Sequence, residues 1–130
     1  MGWFETGNKT KSMTKEIPVI EIKERLKKME VSGQSRMPDP VEFYKLLEEK
    51  IQYYFYQFNK TLIIDFKFEY INTGSSKWLF HILKNLQEIV KKGGLIEINW
   101  YYEEDDEVIQ EAGEVLGSVL LFPFNMREVK

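Results

Sequence analysis

The sequence holds no cysteine and a single histidine in 130 residues. Without thiols there is no disulfide, no thiolate zinc site and no cysteine nucleophile. It also lacks an apolar run of the roughly 18 residues that a membrane helix needs, so no membrane insertion is expected. The opening Met1-Gly2-Trp3-Phe4-Glu5-Thr6 has neither the charged nor the apolar region of a signal peptide, and the expected localisation is cytoplasmic. Positive charge is not in excess: 18 Lys and Arg stand against 21 Asp and Glu, a net charge of −3. With its lysines scattered rather than clustered, the chain does not read as a partner for nucleic acid. Phosphate-binding loops of the Walker and Gly-x-Gly-x-x-Gly types are missing, as is a Gly-x-Ser-x-Gly elbow. The one histidine, His81, falls on the polar side of a helix with Lys77, Lys84 and Asn85, without the positioned partner that a general base requires. The acidic run Glu103-Glu104-Asp105-Asp106-Glu107 lacks the glycine and spacing of a calcium loop and suits the first turn of a helix. No metal or other cofactor is expected, and no enzymatic activity.

What the chain does have is a globular composition, 43% hydrophobic and 15% aromatic, enough at this length to bury a real core in one domain. Residues 1–15 are polar and aperiodic and read as a flexible tail, with residues 16–130 as the domain. Pro18 to Ile22 and Leu26 to Val31 read as two strands joined by a short link, the second closed by Ser32-Gly33. Asp39 and Pro40 suit the start of a helix that runs from about Val41 to Phe58, with Phe43, Leu47, Ile51, Tyr54, Phe55 and Phe58 along one stripe. Leu62 to Tyr70 alternates, with Ile64, Phe66, Phe68 and Tyr70 on one face and Asp65, Lys67 and Glu69 on the other. Trp78, Leu79, Ile82, Leu83, Leu86, Ile89 and Val90 then mark an amphipathic helix over Ser75–Lys92, closed by Gly93-Gly94. Leu95 to Tyr101 alternates again. The acidic run opens a last helix that Gly117 can end, and Leu120 to Val129 forms a last extended segment. The order is β-β-α-β-α-β-α-β, an α/β domain with a mixed sheet and helices mainly on one face. The passage from Leu62 to Tyr101 is expected to be a right-handed parallel crossover.

The junction Tyr70-Ile71-Asn72-Thr73-Gly74-Ser75-Ser76-Lys77 carries the most information. It joins a strand to a helix through a turn crowded with hydroxyls. Asn72 or Thr73 is the natural N-cap, its side-chain oxygen accepting an otherwise orphaned amide hydrogen. A helix N-terminus favours anions, so a phosphate on Thr73, Ser75 or Ser76 sits in a favourable field. Nucleophilic catalysis by these hydroxyls needs a nearby base that the sequence does not supply. Acting as the substrate of a kinase needs only exposure and a surface to grip. A well-capped helix with no further role, in a constitutive adaptor or assembly subunit, is the plainer alternative.

Four motifs in order bring a family into view: Met37-Pro38-Asp39-Pro40-Val41-Glu42-Phe43-Tyr44, the Tyr70–Lys77 junction, Asn99-Trp100-Tyr101-Tyr102-Glu103-Glu104-Asp105-Asp106, and Phe122-Pro123-Phe124. Over roughly Ile17 to Val129 the chain resembles the SiaC-like regulatory phosphoproteins of bacteria, related in fold to STAS domains and anti-sigma-factor antagonists. The resemblance implies a STAS-like single domain and a partner-switching function. It implies phosphorylation of Thr73 by a cognate protein kinase, with Ser75 and Ser76 as alternatives, and release by a PP2C-type phosphatase. The unphosphorylated form is then expected to bind and activate a target such as a diguanylate cyclase making cyclic di-GMP. Asn72 and Gly74 shape the turn, and Lys77, His81 and Lys84 on the following helix are the expected partner-binding residues. Gly74 departs from the family pattern, where serine is common.

Overall fold

The computed structural model describes residues 16–130; the expected tail over residues 1–15 lies outside the described residues. The elements are β1 (Val19–Lys23), a 3₁₀ turn (Glu24–Leu26), β2 (Lys28–Ser35), α1 (Val41–Gln57), β3 (Thr61–Ile71), α2 (Thr73–Val90), β4 (Leu95–Glu103), α3 (Glu107–Val119) and β5 (Phe124–Val129). They lie in one five-stranded sheet in the order β1-β2-β3-β4-β5. β1 and β2 form an antiparallel hairpin, and every later neighbour is parallel. Three successive crossovers thus step the same way across the sheet. Parallel crossovers are right-handed as a rule, and three that step the same way put all three helices on the same face, over one common core.

That face holds the core. Met29 and Val31 of β2, Leu62, Ile64, Phe66 and Phe68 of β3, and Ile96, Ile98 and Trp100 of β4 meet Tyr44, Leu47, Ile51 and Phe55 of α1 and Leu79, Ile82, Leu83 and Leu86 of α2. Trp100 anchors the α3 side. Its indole N–H donates to the Ile109 carbonyl at 2.8 Å, with Phe66, Phe68 and Phe124 packed around the ring. Gly113 lets α3 sit directly on that ring, since a Cβ there would lie 2.3 Å from Trp100 Cδ1.

Three expectations need correction. β2 does not stop at Val31 but runs on to Ser35, and Gly33 is inside it at φ 103°. The register slips there: Gly33 faces Phe68 but Gln34 faces Tyr70, so Glu69 is an extra residue on β3. A bulge of this kind reverses the alternation beyond it. Tyr70 therefore leaves the core face and lies 37% exposed, while Ile71 turns inward. Arg36 covers the exposed ring, its guanidinium carbon 3.9 Å from the centroid.

Secondly, Gly117 does not end the last helix, which continues to Val119. Its lack of a side chain serves packing, since a Cβ would come within 2.9 Å of Phe124.

Thirdly, the far side of β3 is not simply solvated. Asp65 is 2% exposed, pairs with Lys28 at 3.1 Å and accepts from the Asn99 amide at 2.9 Å. Glu30, beside it on β2, pairs with Lys67 at 2.8 Å and Lys23 at 3.2 Å. Burial pushes the Glu30 carboxyl up, but the hydrogen bonds and charges of Lys67 and Lys23 outweigh it and hold the group below its ordinary value. Cross-strand neighbours satisfy these carboxylates, as burial of charge demands.

Candidate functional site

The bulge sets the path of the chain into α2. Ile71 inserts into the core, and Asn72 is then placed to cap the helix. Its side-chain oxygen accepts from the Ser75 amide at 2.8 Å, and its backbone N–H donates to the Ser35 carbonyl at 3.1 Å. The Asn72 side-chain amide donates to the Met37 carbonyl at 3.1 Å, tying the Met37–Pro40 loop to the same corner. Of the two sequence candidates the cap is Asn72, and α2 begins at Thr73 rather than Ser75.

The three hydroxyls of the turn have different environments. Thr73, the first helical residue, is exposed, and Ser76 is half-buried. Ser75 is completely buried. The Tyr44 hydroxyl and Ser35 Oγ lie 2.7 Å apart, Ser35 Oγ donates to Ser75 Oγ at 2.8 Å, and Ser75 Oγ donates in turn to the Ser35 carbonyl at 3.4 Å. Burial pushes the Tyr44 hydroxyl up to about 12, partly countered by its hydrogen bonds to Ser35 and Ser75. This chain stitches α1, β2 and α2 together beneath Thr73. Tyr44 entered the sequence reading only as the end of the Met37–Tyr44 motif, and Ser35 did not enter it. The signal was a hydroxyl at the strand end and a tyrosine on the apolar side of α1, readable only once the topology is known.

Gly74 is not forced by its backbone. A Cβ there would meet Pro40 Cγ at 3.6 Å, an ordinary contact, so a serine fits. Lys77, His81 and Lys84 all project from the exposed side of α2. His81 stands edge-on to Trp78 at 5.3 Å, and the Lys84 ammonium lies 5.6 Å from the Phe80 ring centre. Thr73 and Lys77 are one turn apart, so the candidate acceptor and this basic side belong to one surface. Among the described residues, no group of three or more His, Asp or Glu side chains is placed to hold a metal ion. No helix among them is long and apolar enough to cross a membrane.

Comparison with known proteins decides the family. The model of the SiaC family of regulatory phosphoproteins matches residues 11–129. The chain belongs to that family. A protein of Pseudomonas aeruginosa strain UCBPP-PA14 is 23% identical over 111 residues, covering 85% of this chain and 88% of its own length. Among solved structures, the crystal structure of the diguanylate cyclase SiaD in complex with its activator SiaC, from P. aeruginosa, matches with a TM-score of 0.76 at 22% identity, over 88% of this chain and 94% of that one. The structure of apo-SiaC from the same organism matches at 0.73 and 22%, over 87% and 92%. These likenesses establish the SiaC fold, an α/β domain with a mixed five-stranded sheet and three helices.

Proposed function

We propose that this SiaC-family protein is a non-enzymatic, cytoplasmic partner-switching regulator whose state is set by reversible phosphorylation of Thr73. The observation that carries the reading is the contrast within one turn: Thr73 is exposed at the start of α2 while Ser75 is fully buried. A kinase needs an accessible hydroxyl. Ser76 is the second choice, and Ser75 is reached only if the helix start opens.

Phosphorylation adds about −1.5 to −2 charges and three acceptor oxygens. At the first position of an 18-residue helix that charge meets a favourable dipole, so the domain itself tolerates it. The partner surface does not. A dianion one turn from Lys77 competes for that ammonium and opposes acidic or desolvated contacts of a partner. A coupling of about 1–3 kcal/mol changes affinity roughly 5- to 150-fold, enough for a switch.

In this reading a cognate protein kinase and a PP2C-type phosphatase write and erase the mark. The unphosphorylated form binds its target through α2, with Lys77, His81 and Lys84 at the contact. SiaC of P. aeruginosa is the activator of a diguanylate cyclase, and by family likeness a cyclase making cyclic di-GMP is the target class to test first here.

The test is phosphosite mapping by mass spectrometry on protein from its own cells, followed by pull-downs with the two forms. Phosphate on Thr73, and a target retained only by the unmodified form, is the expected outcome. A target held equally by both forms would instead make the protein a constitutive adaptor.

A further inference from the structure

Basic residues that lie scattered in the sequence are gathered at one end of the domain by its topology. β2, β3, β4 and β5 run parallel, so all four begin at the same end of the sheet, where β1 and the three helices finish. Four connections come together there. The β1–β2 hairpin, Lys23–Lys28, holds four basic residues in six: Lys23, Arg25, Lys27 and Lys28. The link from α1 to β3 adds Lys60, and the link from α2 to β4 adds Lys91 and Lys92. Glu24 is the one acid in these connections.

Lys23, Lys28 and Lys91 are partnered within the fold, by Glu30, Asp65 and Glu88. Arg25, Lys27, Lys60 and Lys92 are exposed and form no ion pair among the described residues. The dipole of α2 accounts for Lys92 at its end, but Arg25 and Lys27 sit on a hairpin.

Large aliphatic side chains stand among these cations. Leu26 at the hairpin tip is 58% exposed, Leu95 at the start of β4 45%, and Leu121 after α3 74%. They come from three different connections, and none belongs to the core. The opposite end differs in charge. The acidic run Glu103–Glu107 follows β4 there, and Thr73 follows β3, roughly 30 Å away along the 11 residues of that strand. A chain of net charge −3 is thus positive at one end and negative at the other.

We propose that the basic end is a docking surface for an anionic lipid bilayer. The cations meet the phosphate headgroups, and the three leucines enter the apolar layer just beneath them. Bare cations beside exposed aliphatics decide the occupant. Single-stranded nucleic acid favours cations beside aromatic rings on which bases stack, and the side chains here are leucines. No helix among the described residues is long and apolar enough to span a bilayer, so the contact is peripheral and reversible. With the basic end on the surface, Thr73 faces away from it, open to enzymes and partners in solution. A phosphate on Thr73 lies several Debye lengths from the lipid and leaves the contact unchanged. Membrane docking therefore stands apart from the switch proposed above.

The experiment sediments the full chain with vesicles of phosphatidylglycerol and phosphatidylcholine in equal parts, and with vesicles of phosphatidylcholine alone. Binding is expected to the first and not to the second, and it weakens at least about tenfold as salt rises from about 0.05 to about 0.3 M. Each cation near the surface contributes about fivefold, so Arg25→Glu/Lys27→Glu/Lys92→Glu lowers the affinity about a hundredfold or more. Leu26→Ser/Leu121→Ser lowers it about tenfold, yet leaves retention on heparin, a polyanion without an apolar layer, unchanged. All five positions are exposed, so the melting temperatures stay level. Since the chain has no cysteine, Leu121→Cys and Lys77→Cys each take a single polarity-sensitive fluorophore. A blue shift on anionic vesicles is expected from position 121 and not from position 77. Thr73→Asp binds the vesicles as the natural protein does. No binding to anionic vesicles, binding that survives the triple charge reversal, or equal shifts at both labelled positions overturns the proposal. Vesicle binding that ignores the leucines, with tighter binding to an oligonucleotide or an acidic polypeptide, overturns it too and assigns the end to that partner.

Discussion

Ser35 and Ser75, forty residues apart in sequence, share a hydrogen bond of 2.8 Å between hydroxyls that are both fully buried. The bond makes Ser75 part of the fold and leaves its neighbour Thr73 outside it. Acidic substitutions at the two positions are therefore expected to act in opposite ways. Ser75→Asp buries a carboxylate against Ser35 and Tyr44 and destabilises by about 3 kcal/mol or more. Thr73→Asp adds the same charge in water at a helix N-terminus, and stability stays level or rises by up to about 1 kcal/mol. Urea denaturation of the two variants measures the difference. Equal losses would show that Thr73 is as embedded as Ser75.

Tyr44 extends that network and gives it a pH signature. Its hydroxyl is pushed up from 10.0 to about 12, mainly by burial. The unfolded chain therefore ionises first as pH rises. The stability due to this group is complete below about pH 10 and is lost between about pH 10 and 12, at roughly 1.4 kcal/mol per pH unit. Tyr44→Phe lacks this term. The stability gap between the natural protein and Tyr44→Phe should narrow by about 1.4 kcal/mol between pH 8 and pH 11. Lysine titration affects both proteins alike and drops out of the difference. A gap that stays constant would mean that the hydroxyl is solvated in the folded state.

Much of this architecture was legible in the sequence because period-two and period-3.6 patterns survive in single segments. The order of elements and the strand–helix junction came through for that reason. What did not come through depends on pairs of strands. The phase of Tyr70 is set by a slip opposite Gly33, which no pattern within β3 reveals. Asp65 is buried because Lys28 and Asn99 flank it across the sheet. Gly117 looked like a helix stop, but Phe124 approaches it from β5. At the site, the hydroxyl turn was visible at once. The ranking of its hydroxyls was not, since Ser75 is buried by residues from two other elements.

Asn72 joins two attachments in one side chain, and they can be separated. Asn72→Ala removes the cap on the Ser75 amide and the tie to the Met37 carbonyl. The cap contributes about 1 kcal/mol and the tie a similar amount. The melting temperature should fall on the order of 5–10 °C. Asn72→Asp keeps the acceptor oxygen and loses only the donor, so about half of that fall should return. If Asn72→Asp melts as low as Asn72→Ala, the cap contributes nothing and the loop tie carries the whole effect.

Gly74 and Gly113 are both helical glycines, yet the same substitution should separate them. At Gly113 an added Cβ meets Trp100 Cδ1 at 2.3 Å, and the indole cannot move aside because it bonds Ile109 and is packed by Phe66, Phe68 and Phe124. Alanine gains up to about 1 kcal/mol of helix propensity over glycine. Overpacking of a rigid core costs about 1–3 kcal/mol and should outweigh it. At Gly74 the nearest atom, Pro40 Cγ, is at 3.6 Å, so the propensity gain has little to oppose it. Gly113→Ala is expected to unfold at lower urea and Gly74→Ala at slightly higher urea than the natural protein. The slope of each transition should stay unchanged, since the surface exposed on unfolding is nearly the same. A Gly113→Ala protein as stable as the parent would mean that α3 can ride up off Trp100.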